Sequence, residues 1–96
     1  MTEWKDLDIE SKMIILELKK NGPDCAKFLS RRLKLDPATC MELLSTLESV
    51  DWLQRIKGTF LFKKGFRRPK HMNHTYYEIT KNAEKTLRFL ARRGLI

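Results

Sequence analysis

The sequence predicts a mainly α-helical fold with a small β element: a three-helix core, a two-stranded hairpin and a C-terminal helix, in one domain spanning residues 1–96. Three observations carry this prediction. Between Asp8 and Val50, apolar residues recur at spacings of three and four, the period of a buried helical face. From Trp52 the pattern changes to apolar and aromatic residues alternating with polar ones, the period of a strand. Thr80 then opens another stretch of helical spacing.

Each element has its own local chemistry. Asp8 offers a carboxylate to the unpaired amides of a first turn, and Ile9, Met13, Ile14, Ile15, Leu16 and Leu18 give a broad apolar face to a helix over about 8–20. Asn21, Gly22 and Pro23 stop it. A second helix over about 24–34 places Ala26, Phe28, Leu29 and Leu33 inward and Lys27, Arg31, Arg32 and Lys34 in water. Asp36-Pro37 starts a third helix over 37–50, because aspartate caps and proline suits the first helical position. Its core face is Cys40, Leu43, Leu44, Leu47 and Val50; Ala38, Met41, Glu42, Ser45, Thr46 and Ser49 lie on or beside the opposite face, which has no Lys or Arg.

The stretch LQRIKGTFLFKK, with Gly58 at a bend, reads as a strand that pairs with His74–Ile79. Together they form a hairpin over 53–79 with a long tip from about Lys63 to Asn73. Thr80 caps the last helix, over 81–93, on which Ala83, Leu87, Leu90 and Ala91 make a narrow apolar stripe. Two short helices joined by Lys34-Leu35-Asp36 and followed by a two-stranded ribbon is the layout of a winged helix-turn-helix.

Composition excludes several function classes. A hydrophobic fraction of 42% and a charged fraction of 33% fit a soluble globular chain. No run approaches the roughly 18 apolar residues of a membrane span, and the N-terminal MTEWKDLDIESK lacks the order of a signal peptide, so a cytoplasmic location and no membrane partner are expected. Cys25 and Cys40 are too few for a disulfide framework and read as small buried side chains. Neither they nor His71 and His74 have the close pairing of zinc ligands, so no metal and no cofactor is expected. There is no glycine-rich phosphate loop, no nucleophile with a supporting base and no pair of carboxylates in a plausible cleft, so the chain is expected not to be an enzyme.

Charge points to a partner. Of the net +8, residues 1–52 hold eight Lys/Arg against ten Asp/Glu, net −2, and residues 53–96 hold twelve against two, net +10. The segment LFKKGFRRPKHMNHTYY, Leu61 to Tyr77, carries five cations and no carboxylate. A positive field of this kind most often meets nucleic acid.

The residues also carry a resemblance. GPDCAKFLSRRLKLDPATCMELLSTLESVDWLQR, Gly22 to Arg55, resembles the core of winged-helix regulators of the MarR, ArsR and PadR type, and YYEITKNAEKTL, Tyr76 to Leu87, resembles their return strand and following helix. A family of small uncharacterised archaeal winged-helix proteins, similar in size and in an Arg/Lys/His-rich wing ending in Tyr-Tyr, gives the best fit. Three departures stand out: Asp51-Trp52 where Gly-Leu is usual, Ala83 in place of a glycine, and Glu42 where many DNA-reading members carry Arg, Lys or Gln.

The resulting expectation is a transcriptional regulator of double-stranded DNA, with a homodimer implied by the habit of the family. The third helix would offer Thr39, Met41, Glu42, Ser45, Thr46 and Ser49 to the major groove, while Lys63, Lys64, Arg67, Arg68 and Lys70 of the hairpin follow the phosphates or the adjacent minor groove. Lys27 and Arg31 of the second helix would stand near the backbone. Two alternatives remain at this point: a module that docks another protein of the transcription or replication machinery through its cation-free third helix, and an RNA or single-strand binder stacking bases on Phe60, Phe62, Phe66, Tyr76 and Tyr77. The sequence names no small-molecule effector.

Overall fold

Asp8 accepts a hydrogen bond from the Ser11 amide at 2.7 Å and so opens the first helix, α1, which runs Ile9–Asn21. The structure is a computed structural model and describes residues 1–56 and 75–96. Gly22 ends α1 at φ +86°, a left-handed conformation that glycine adopts without steric cost, and its amide bonds the Leu18 carbonyl at 2.9 Å.

The next two residues depart from the expected helix. Asp24–Cys25 form a short strand, β1, and the second helix, α2, starts after them at Ala26 and ends at Leu33. The reason is a distant partner: Asp24 pairs with Tyr77 and Cys25 with Tyr76, and these ladder bonds outweigh two residues of helix. Lys34 closes α2 in the left-handed region at φ +57°. Asp36 then caps the third helix, α3, Pro37–Ser49, by accepting from the Thr39 amide at 3.1 Å.

After α3 come β2, Leu53–Ile56, β3, Tyr76–Ile79, and the C-terminal helix α4, Lys81–Arg92, which Thr80 caps by accepting from the Ala83 amide at 3.1 Å. The sheet is antiparallel in the order β1-β3-β2, so the return strand lies in the middle of three strands rather than on the edge of two. Within the described residues β2 ends at Ile56, and the expected continuation of the first strand with the hairpin tip lies outside them.

One apolar cluster unites the elements: Ile14, Ile15, Leu18, Leu29, Cys40, Leu44, Leu47, Trp52, Leu53, Tyr77, Ala83 and Leu87. Each fully buried aliphatic side chain contributes about 1.5–3 kcal/mol relative to exposure. Leu53 and Tyr77 lie on the sheet face turned to this core, whereas Tyr76 and Ile56 lie on the other face with Cys25 and Phe28. Ile9, at 75%, and Leu16, at 40% exposure, were expected in the core and stand in solvent instead. The buried arc of α1 is narrower than its composition suggests and includes Ser11 beside Ile14, Ile15 and Leu18. Likewise on α4, Ala83 and Leu87 are buried, Leu90 is half-buried and Ala91 is exposed.

Asp51, at a position where the resemblance leads one to expect glycine, has φ +67°. Its carbonyl accepts from the Thr80 hydroxyl at 2.8 Å and its carboxylate from the Asn82 amide at 3.3 Å, which ties the end of α3 to the start of α4. Aspartate tolerates the left-handed region better than most side chains, so the turn survives the substitution.

Candidate nucleic-acid interface

The capped start of α3 fixes its rotation, and its two faces separate as the spacing requires. Cys40, Leu44 and Leu47 are buried and Leu43 and Val50 half-buried, while Ala38, Met41, Glu42, Ser45, Thr46 and Ser49 are exposed. Met41 is 62% exposed. Thr39 is half-buried, and its hydroxyl reaches the Asp36 carboxylate at 3.5 Å. The Ser49 hydroxyl donates to the Thr46 carbonyl at 2.6 Å, which leaves its oxygen only an accepting role toward a partner.

A cleft of about 660 Å³ runs between α2, α3 and the base of the hairpin. It brings together four of the residues expected at an interface: Lys27 and Arg31 from α2, and Met41 and Ser45 from α3. Glu42, Thr46, Thr39 and Ser49 do not line it. Lys63, Lys64, Arg67, Arg68 and Lys70, together with Phe60, Phe62, Phe66, His71 and His74, lie outside the described residues.

Arg55 and Tyr77 also line the cleft, and neither was expected there. The Arg55 guanidinium is held by Glu48 at 2.9 and 3.1 Å and lies 6.0 Å above the Tyr77 ring. The Glu48 hydrogen bond, with Tyr77 next, raises the guanidinium above its ordinary value, so it is a fixed cation. A sequence signal existed, since Arg55 lies two residues from Leu53 and so shares its face of the strand that leaves α3. Among the described residues Lys27 and Arg31 form no ion pair, whereas Arg32 bridges Glu17 and Asp24 and is committed to the structure.

Other chemistries find little here. Cys25 and Cys40 are buried free thiols, and burial, with Cys25 nearby, pushes the Cys40 thiol up, away from a reactive thiolate. Tyr76 and Tyr77 are 4% and 7% exposed, which removes them as platforms for stacking bases. Among the described residues no His, Cys, Asp and Glu side chains gather into a metal-binding group, and no helix is long and apolar enough to cross a membrane.

With α3, the cleft and the three-stranded sheet in place, comparison with known proteins becomes informative. A family model described as an uncharacterized protein conserved in archaea, DUF2250, matches residues 5–90. The chain belongs to this archaeal family. No curated protein matches the DUF2250 chain by sequence. Among solved structures it is similar to RV1404 from Mycobacterium tuberculosis, with a TM-score of 0.72 at 15% identity, over 93% of this chain and 54% of that one. It is also similar to the transcriptional regulator Tm0710 from Thermotoga maritima, TM-score 0.69 at 20% identity, covering 90% and 54%. A third is AbfR in an overoxidized form bound to DNA, TM-score 0.67 at 17% identity, covering 90% and 56%. The chain therefore has the winged-helix fold of these structures and spans about half their length.

Proposed function

We propose that this chain is a DNA-binding transcriptional regulator, acting in the cytoplasm, that presents α3 to the major groove and follows the phosphates with Lys63, Lys64, Arg67, Arg68 and Lys70. The observation that supports it most is the exposed face of α3. Met41, Glu42, Ser45, Thr46 and Ser49 stand free of the core on a capped helix, with Lys27 and Arg31 across the cleft. Serine and threonine hydroxyls contact any base edge and methionine offers an apolar contact to thymine methyl, so this face suits modest readout. Glu42 accepts from cytosine N4 and repels phosphate, which places most of the affinity on the basic segment. A homodimer would set two α3 helices on successive major grooves, with exposed Ile9, Leu16, Phe89, Leu95 and Ile96 supplying apolar surface for the contact. That other winged helices of this shape are regulators, one of them solved on DNA, supports the reading.

A duplex titration across salt tests it. Five phosphate contacts predict a log–log salt slope of about −4 to −5 from the basic segment. Changing Lys63, Lys64, Arg67 and Arg68 to Ala abolishes binding to random duplex on this reading. A wild-type chain that ignores duplex at about 50 mM salt sinks it. One observation favours a second reading: α3 has no Lys or Arg and carries Glu42 and Glu48, as a helix docking another protein would. Loss of a protein partner on Met41→Ala, with no duplex binding by the wild type, would select that alternative.

A further inference from the structure

The largest run of exposed positive charge among the described residues lies on α4. Lys81, Lys85, Arg88 and Arg92 follow one another at four, three and four residues, which places them on one stripe of the helix, and all are exposed. Lys19 from the end of α1 joins Lys85, Arg88, Ala91 and Arg92 along a shallow groove of about 530 Å³. Among the described residues none of these five cations is in an ion pair. The one carboxylate of α4, Glu84, sits beside the stripe, in the adjoining groove with Lys19, Lys81 and Glu78. Glu78 in turn accepts from the Gln54 amide at 2.8 Å.

The stripe and the α3 cleft are built from different side chains, although α3 and α4 pack on one core. The cleft and the α4 groove share no described lining residue.

Four cations over a rise of about 17 Å match a repeating anion, and one strand of a duplex offers a phosphate every 3.4 Å or so of its axis. Ala83 and Leu87, behind the stripe, are buried in the core and cannot enter lipid, and Phe89, exposed on the same helix, makes a lipid surface an outcome that the test has to separate. We propose that the α4 stripe is a second phosphate-backbone contact for duplex DNA, separate from α3, so that one copy of the chain engages two duplex segments. This rests on the duplex-binding reading above.

The test uses the full chain and the triple variant Lys85→Gln, Arg88→Gln, Arg92→Gln. Gln keeps helix propensity at exposed sites, so the melting temperature and sedimentation should match the wild type. Two readouts are taken: the salt slope of binding to a random duplex, and recruitment of a labelled duplex by protein already bound to an anchored one. The variant is expected to lose about 0.9 of slope per lost contact, a total of 2–3, and at least tenfold in recruitment, while charge-preserving Lys85→Arg with Arg88→Lys retains both. Unchanged slope and recruitment would overturn the proposal while leaving the regulator reading intact. So would a variant whose only loss is binding to anionic phospholipid vesicles or to polyglutamate. A wild-type chain that binds no duplex at all overturns both readings together.

Discussion

The indole Nε1 of Trp52 donates to the main-chain carbonyl of Thr2 at 2.8 Å, across fifty residues of sequence. The Trp4 ring packs against the same indole with centroids 5.8 Å apart, so the N-terminal segment is folded down on a side chain that is itself fully buried. Trp52→Phe keeps an aromatic but loses this bond and part of the buried area. It is expected to cost about 1.5–3 kcal/mol. Thermal melting should register a fall of roughly 6–20 °C for a chain of this size. A change within about 2 °C would show that the Thr2 contact and the missing ring contribute nothing.

Asp51 makes the opposite prediction. Because it sits at φ +67°, Asp51→Ala should destabilise by about 1 kcal/mol, losing both the tolerance of a short polar side chain and the Asn82 bond. Asp51→Gly relieves the backbone while losing the same bond, and should come out within about 0.5 kcal/mol of the parent. Urea unfolding of the three chains ranks them. If Ala proved as stable as Gly, the left-handed turn would not be what limits this position.

Tyr76 predicts a pH dependence. Its hydroxyl is pushed up from near 10 to about 12, first by burial and then by its electrostatic interaction with Cys25 and Asp24. The unfolded chain binds the proton less tightly than the folded one. Stability from this group is therefore complete below pH 10 and is lost as pH rises toward 12. The urea midpoint should fall through that window, and Tyr76→Phe should flatten the fall. Phenolate absorbance of the folded protein appearing near pH 10 for all tyrosines would contradict it.

Glu42 is the one carboxylate on the exposed part of α3 proposed to meet DNA. Glu42→Gln removes a charge that repels phosphate and keeps the shape, so affinity for random duplex should rise two- to fivefold, on the order of 0.5–1 kcal/mol. Equilibrium titration at fixed salt measures it. Unaltered duplex affinity would indicate that this face stands away from the backbone.

What the sequence disclosed follows the range of the forces involved. The caps at Asp8, Asp36 and Thr80 act within three residues, and each helix that they open was legible with its core face, α3 most completely. β1 was not, because Asp24 and Cys25 become a strand only through Tyr76 and Tyr77, more than fifty residues away. The same holds for the pairing of Trp4 with Trp52 and for the exposure of Ile9 and Leu16, which neighbours in space decide. At the candidate interface, the outward side chains of α3 could be read from spacing, whereas the meeting of Arg55 and Tyr77 with Lys27 and Arg31 depends on how three elements converge. The α4 stripe was present in the sequence as its four, three, four spacing, but that it shares no lining residue with the α3 cleft became visible only in the folded chain.

The central place of β3 also decides how the molecule carries mechanical load. Tyr76 is paired on one side with Ile56 and on the other with Cys25, the residue immediately before α2. A pull on the connection between Ile56 and Thr75 is therefore shared at once between the end of β2 and the first turn of α2, through a single residue of β3. The helix that flanks the cleft and the hairpin that borders it are thus geared together, and neither can be tugged without the other feeling the strain.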